Sequence, residues 1–188
     1  MLEEVLKTLI DSSRAENYMS LAKVRSFQNI VLNIDEVSEI EANTEADVPR
    51  WLAYELSKSG LAELSSEERV TVEELARLAF LETKTISTAS SLQKLSPDFY
   101  VKVKHEIELT MQQLSKSPTS EIIEKYRKTE MFVRDIVRSR LRKILNLVLT
   151  VEEPKDIISK FAPEEKILYR ILRDIIKLWV EETTGLKY

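Results

Sequence analysis

Apolar residues at Leu2, Val5, Leu6, Leu9 and Ile10 open the chain on the spacing of one helix face, which predicts a helix to about Ala15. The pattern then changes. Phe27-Gln28-Asn29-Ile30-Val31-Leu32-Asn33-Ile34 concentrates β-branched and apolar residues ahead of the polar Asp35-Glu36, as a short strand does. Asn43-Thr44-Glu45-Ala46-Asp47 has the composition of a turn, and Val48-Pro49 leads into a helical stretch from Trp51 to Ser59 that Gly60 stops. Leu61 to Leu64 and Arg69 to Val72 fit brief strands around a polar Ser65-Ser66-Glu67-Glu68 turn. An N-terminal helix over residues 1–17 and a small mixed α/β module over 18–72 are therefore expected.

From residue 73 the helical period dominates. Glu73 to Leu81 reads as a helix capped by Thr71, with acidic residues against the positive end of its dipole. Thr83 to Ser91 is rich in Ser and Thr and suits a connector. Ser96-Pro97-Asp98 starts a helix from Phe99 to Leu114, with Val103, Ile107, Met111 and Leu114 on one stripe. After Ser117-Pro118-Thr119-Ser120 a long helix runs to about Leu149, and Val133, Val137, Leu141, Ile144 and Val148 are its expected buried face. Pro163 starts a last helix reaching about Glu182. Its Ile167, Leu168, Ile171, Leu172, Ile175, Ile176, Trp179 and Val180 exceed what one stripe needs, so cover on two sides is expected. The fold class is mainly α, with a helical bundle over 73–188 preceded by a small strand-containing domain.

Composition narrows the chemistry by what is missing. Cysteine is absent, which removes disulfides, thiolate nucleophiles and Cys-ligated zinc. His105 is the single histidine, so two-histidine metal sites are excluded, and only Gly60 and Gly185 exist to build a phosphate cradle. No enzyme activity, metal or cofactor is expected. Neighbouring carboxylates such as Glu67-Glu68 and Glu152-Glu153 point apart on a helix and read as surface charge rather than an acid/base dyad. No apolar run reaches membrane-spanning length, and the acidic Glu3-Glu4 start is unlike a secretory signal, so an intracellular protein is expected.

Four groups of residues stand out. Trp51, with Leu52 and Leu56, follows Pro49, and its indole is expected to face the core of the small module. Phe99 and Tyr100 at a helix start would fasten the preceding loop to the helical core. Arg134, Arg138, Arg140, Arg142 and Lys143 form the densest positive region, partly balanced by Glu130 and Asp135. A solvated face, an interface with an acidic partner, and DNA backbone contact are its three readings, against a net charge of -4. His105, between Lys104 and Glu106, is expected at the surface or its boundary.

The order of these segments resembles subunits of the GINS complex. Val48-Pro49-Arg50-Trp51-Leu52-Ala53-Tyr54-Glu55-Leu56 is similar to the Pro-x-Trp-Leu-Ala-x-x-Leu signature of the Psf2/Psf3 group, whose small B domain precedes the helical A domain. Arg50 stands where many of those relatives carry an apolar residue. Tyr18-Met19-Ser20-Leu21 resembles the start of that B domain. Leu95-Ser96-Pro97-Asp98-Phe99-Tyr100, Arg140-Leu141-Arg142-Lys143-Ile144 and the Pro163-Glu164-Glu165 helix resemble successive A-domain segments. The resemblance implies a non-enzymatic, cytoplasmic, nucleoid-associated subunit of an archaeal-type GINS heterotetramer. Its implied partners are a second GINS subunit, the MCM helicase, a RecJ-like protein and primase or polymerase, with DNA met only indirectly or weakly. Trp51, Leu52, Leu56, Phe99, Tyr100, the Arg134–Lys143 residues, Ile171, Ile175 and Trp179 are the expected interface or structural-motif residues. A helical DNA-binding regulator using the basic Arg134–Lys143 face is the alternative.

Overall fold

The computed structural model describes residues 2–34, 37–84, 89–150 and 153–187. Asp35-Glu36, much of the Thr83 to Ser91 connector and Glu152 lie outside the described residues. Two compact units are present, one built from residues 15–72 and 101–129, the other from 1–14, 73–100 and 130–188.

The first unit holds the strands. β1 (Leu21–Ser26) lies between β4 (Glu45–Pro49) and β5 (Ala62–Leu64) in an antiparallel sheet, with Ala22 opposite Val48 and Val24 opposite both Ala46 and Leu64. β1 alternates strictly, with Ala22, Val24 and Ser26 buried, as a half-covered sheet requires. β2 (Ile30–Ile34) and β3 (Val37–Ile40) form a separate two-stranded ribbon. α2 (Arg50–Ser59) closes the core through Leu52, Ala53, Tyr54 and Leu56. Gly60 ends it at φ 74 in the left-handed region, and Leu61 N–H bonds back to the Leu56 carbonyl at 3.0 Å while Gly60 N–H reaches Ser57 at 3.1 Å. Val101, on α4 (Phe99–Lys116), completes this core.

Several expectations change here: Glu45, Ala46 and Asp47, expected in a turn, are the first half of β4 and pair with β1. Arg69 to Val72 is not a strand: after a 3₁₀ turn at Ser66–Glu68, residues 69–71 are irregular and α3 (Val72–Lys84) begins at Val72. Trp51 does not face the core but is 40% exposed. The core-facing side of α2 is taken by Leu52, Ala53, Tyr54 and Leu56, and Arg50 is buried against Glu68 at 3.2 Å. His105 also differs: it is buried and stacks flat on Tyr54 with ring centroids 3.9 Å apart. On the same helix Met111 is half exposed, and Glu106 sits inside instead, held by Arg69 at 3.1 Å and by Lys125 of α5 (Ser120–Val148) at 2.5 Å.

The second unit is helical. α3 buries Leu75, Ala79 and Glu82 at helical spacing. α5 buries Ile136, Ser139, Arg140, Lys143, Ile144, Leu147 and Val148. The expected face was turned too far: Leu141 is exposed, while Val133 and Val137 are only partly covered. Leu92, Ile144, Leu147, Val148, Phe161 and Tyr169 form the core. Ile157 and Ile158 of α6 (Lys155–Ile158) pack against it, as do Leu172 and Ile176 of α7 (Pro163–Thr184).

The buried histidine sets a pH dependence. Burial lowers its imidazole from 6.5 to about 4, helped by the Lys58 and Arg69 cations and opposed by the Glu106 and Glu108 carboxylates. Folded His105 is therefore neutral where unfolded His105 takes up a proton, so stability is full above pH 6.5 and is lost as pH falls toward 4. Glu106 works lower. Burial would raise its carboxyl, but hydrogen bonds from Arg69 and Lys125 win and hold it below 4.5, so its contribution is lost only beneath that value. Urea unfolding between pH 6.5 and 4.5 is expected to show a slope of up to about 1.4 kcal/mol per pH unit from His105. His105→Phe, which keeps a ring on Tyr54, should flatten that slope; an unchanged slope would show that another group is responsible.

Candidate assembly interface

The sequence puts four charges inside the helical unit, and the geometry shows how they are tolerated. Arg140 is fully buried and bonds Glu165 twice, through Nε at 2.5 Å and through one terminal nitrogen at 2.7 Å. Its other terminal nitrogen donates to Glu82 at 2.6 Å and to the Gln93 carbonyl at 2.9 Å. Lys143, one turn on, donates to the second Glu82 oxygen at 2.7 Å and to the Glu82 carbonyl at 2.9 Å. Glu82 also accepts the Gln93 N–H at 2.9 Å. Glu165 accepts the Tyr100 hydroxyl at 2.8 Å and the Ala162 N–H at 3.0 Å, which caps α7. Two cations face two carboxylates, so the cluster is neutral. It joins α3, α5, α7 and both of the loops reached through Gln93 and Ala162.

The electrostatics follow this geometry. Burial by itself would lower the Arg140 guanidinium, but the bonds to Glu165 and the field of Glu165 and Glu82 outweigh it and raise it. Burial, then the Glu165 carboxylate, push the Tyr100 phenol far above its ordinary range, so it stays a donor at every physiological pH. Phe99 is buried edge-on to Tyr100, at 5.2 Å between centroids.

With Arg140 and Lys143 turned inward, the opposite side of α5 is exposed. Successive residues turn by about 100°, which places Met131, Arg134, Arg138, Leu141, Arg142 and Leu145 on one outward face. The Arg134–Lys143 row is thus two sets. Arg140 and Lys143 neutralise carboxylates inside, and the outward set is three arginines, of which Arg134 is bridged to Glu130 at 2.6 Å. That removes two of five cations from the face on which DNA binding was conceived. What remains alternates arginine with large apolar side chains, a composition favoured in protein interfaces.

α7 shows the same surplus. Glu165, Tyr169, Leu172 and Ile176 face inward, with Ile171 partly covered. Ile175, Leu178 and Trp179 stay exposed, Trp179 at 63%, so the second apolar side expected from the sequence is uncovered in the single chain. A groove of about 210 Å³ lies nearby, lined by Leu6 and Ile10 of α1 (Leu2–Met19), Val137 and Leu141 of α5, and Ile167 and Leu168 of α7. Arg14 and Glu164 tie α1 to α7 beside it at 2.8 Å.

Residues 70–184, more than half of the chain, match the Sld5 family, described as the GINS complex protein helical bundle domain. The chain belongs to this family. No curated protein matches it. This GINS protein is a subunit of a DNA-replication complex, from a family of scaffold subunits.

The GINS assignment gives the Arg-x-x-Lys-Ile segment a physical content. Arg140 and Lys143 are the cationic half of the buried cluster, and Ile144 lies in the core beside them. Their partners were missed in the sequence. Glu82 could have been found as the one charged residue continuing the Leu75, Ala79 stripe, and Glu165 as the third residue after the Ala162 cap. Leu145 and Leu178 were missed because nothing in a single helix pattern says which apolar residues stay outside. Among the described residues no cluster of three metal-ligating side chains occurs, and no helix is long and apolar enough to cross a membrane.

Arg140→Met should destabilise the fold by roughly 3–5 kcal/mol, since it leaves Glu82 and Glu165 buried with too little positive charge. Arg138→Ala, on the exposed side of the same helix, should stay within about 0.5 kcal/mol of the parent. Urea denaturation of both variants reads the difference, and equal losses would contradict the division of the row.

Proposed function

We propose that this GINS subunit is of the Psf2/Psf3 type, with residues 18–72 as its B domain, 73–188 as its A domain and 1–17 as a helix preceding both. The order supports this reading, because the strands come first and the family's helical domain follows from residue 70. The subunit acts in an archaeal-type heterotetramer with a second GINS subunit, in the cytoplasm and associated with the nucleoid. There it scaffolds the MCM helicase with a RecJ-like protein and with primase or polymerase. It works without catalysis or cofactor, a reading supported by the lack of cysteine and by a single histidine held between aromatic and charged neighbours. DNA is met indirectly or weakly.

The outward face of α5 and the outer side of α7 are the proposed subunit contact, with Arg134, Arg138, Arg142, Ile171, Ile175 and Trp179 at it. Trp51, Leu52, Leu56, Phe99, Tyr100, Arg140 and Lys143 serve it as structural-motif residues. The observation that carries the proposal is the run of exposed Leu141, Leu145, Ile175, Leu178 and Trp179 on a family whose members assemble.

Light scattering should show the isolated chain self-associating, and co-expression with a second GINS subunit should convert it to one species of tetramer mass. Arg138→Glu combined with Leu145→Asp should weaken that assembly by at least about tenfold, or ~1.4 kcal/mol, with an unchanged melting temperature for the chain alone. A monodisperse monomer that ignores the second subunit would sink the proposal.

A further inference from the structure

The two uncovered apolar stripes of the helical unit carry charges of opposite sign. On α5, a turn of about 100° per residue puts Met131, Arg134, Arg138, Leu141 and Arg142 within about 60° of Leu145. Glu130 falls there too, but it is taken up by Arg134 at 2.6 Å. The side chains of Arg138 and Arg142 are exposed and bond to no other group among the described residues. The same count on α7 puts Ile171, Leu178, Trp179 and Glu182 within about 60° of Ile175. Asp174 borders that stripe one turn before Leu178, so that Asp174, Leu178 and Glu182 recur every four residues. Both carboxylates are exposed and, among the described residues, equally without a bonded partner. The cations of α7 lie elsewhere. Lys166, Arg170, Arg173 and Lys177 are at least about 140° around the helix from Ile175, and Arg173 donates to the Tyr169 hydroxyl at 2.7 Å.

Each stripe therefore joins large apolar side chains to a charge that its own chain leaves unanswered, positive on α5 and negative on α7. Both stripes face outward, so one chain cannot cover either with the other. A second copy can. A single two-fold rotation brings α5 of each copy onto α7 of the other, and the same contact is made twice. Arg138 and Arg142 then meet Asp174 and Glu182, with Leu141 and Leu145 against Ile175, Leu178 and Trp179. Pairing α5 with α5 would set arginines against arginines, and pairing α7 with α7 would oppose carboxylates. Charge selects the crossed arrangement.

We propose that a second copy of this chain occupies the α5 and α7 faces when no other subunit holds them, in a two-fold dimer with α5 of each copy on α7 of the other. The dimer rests on the reading of these faces as contact surfaces, and it is what a second GINS subunit meets first.

Sedimentation velocity of the full chain over a concentration series tests this. The parent should show a reversible monomer–dimer equilibrium that stops at the dimer. Arg138→Glu with Arg142→Glu, and separately Asp174→Arg with Glu182→Arg, should each weaken dimerisation by at least about tenfold, since each sets like charges face to face. In dilute solution, where every form is monomeric, both variants should melt as the parent does. Mixed in equal amounts, the two variants should dimerise again, because their exchanged charges match at both contacts. A dimer through α5 alone would ignore the α7 charges, and one through α7 alone would ignore the arginines. Loss in both variants followed by recovery in the mixture is therefore particular to the crossed contact. A parent that stays monomeric, variants that dimerise as the parent does, a mixture that does not recover, or growth past the dimer would each overturn the proposal. So would a monomer whose Arg138 and Arg142 bind a DNA duplex instead. A chain that is monomeric alone yet enters a tetramer with a second GINS subunit would sink the dimer and leave the subunit reading standing; a dimer with no tetramer would do the reverse.

Discussion

The helical unit depends on one constraint: the charges of Arg140 and Lys143 enter its interior only with Glu82 and Glu165 beside them. A buried guanidinium without partners would cost more than a domain's whole stability, while a neutral cluster with every group bonded is tolerable. The bonds are also directional. The planar fork of Arg140 donates to Glu165 on one side and to Glu82 and the Gln93 carbonyl on the other, which fixes the rotation of α5 about its own axis. That rotation presents Arg138, Leu141 and Leu145 to the outside. The interior pairing and the exterior face are two sides of one decision about helix orientation.

The strand-bearing unit repeats the device in smaller form. Glu106 is buried between Arg69 and Lys125, and Arg50 is buried against Glu68. Trp51 is left outside while Leu52, Ala53, Tyr54 and Leu56 fill the core side of α2.

Much of the architecture was legible in the chain. Proline and acidic residues marked the starts of α4 and α7, Gly60 marked the end of α2, and the change from β-branched clusters to helical period separated the strand-bearing stretch from the bundle. The side-chain placements were less so. Hydropathy assigns Arg140, Lys143, Glu82 and Glu106 to the surface, because a single helix pattern contains no information about a partner 19 to 61 residues away. For the same reason Met111 and Leu141 were expected inside and are not. The histidine was misplaced because its neighbours Lys104 and Glu106 look like surface, whereas its place is set by the Tyr54 ring from a different helix. Errors fell where long-range pairing outweighs local pattern, and they included the residues that define the family segment.

The chain has two tryptophans, Trp51 in one unit and Trp179 in the other, and both lie at the surface. An indole near water emits at longer wavelength than one enclosed in a core. Intrinsic emission from this protein is therefore a poor gauge of whether it is folded. It is a built-in optical reporter of occupancy, with one probe on α2 and the other on the outer side of the last helix, and each can be isolated by replacing the other.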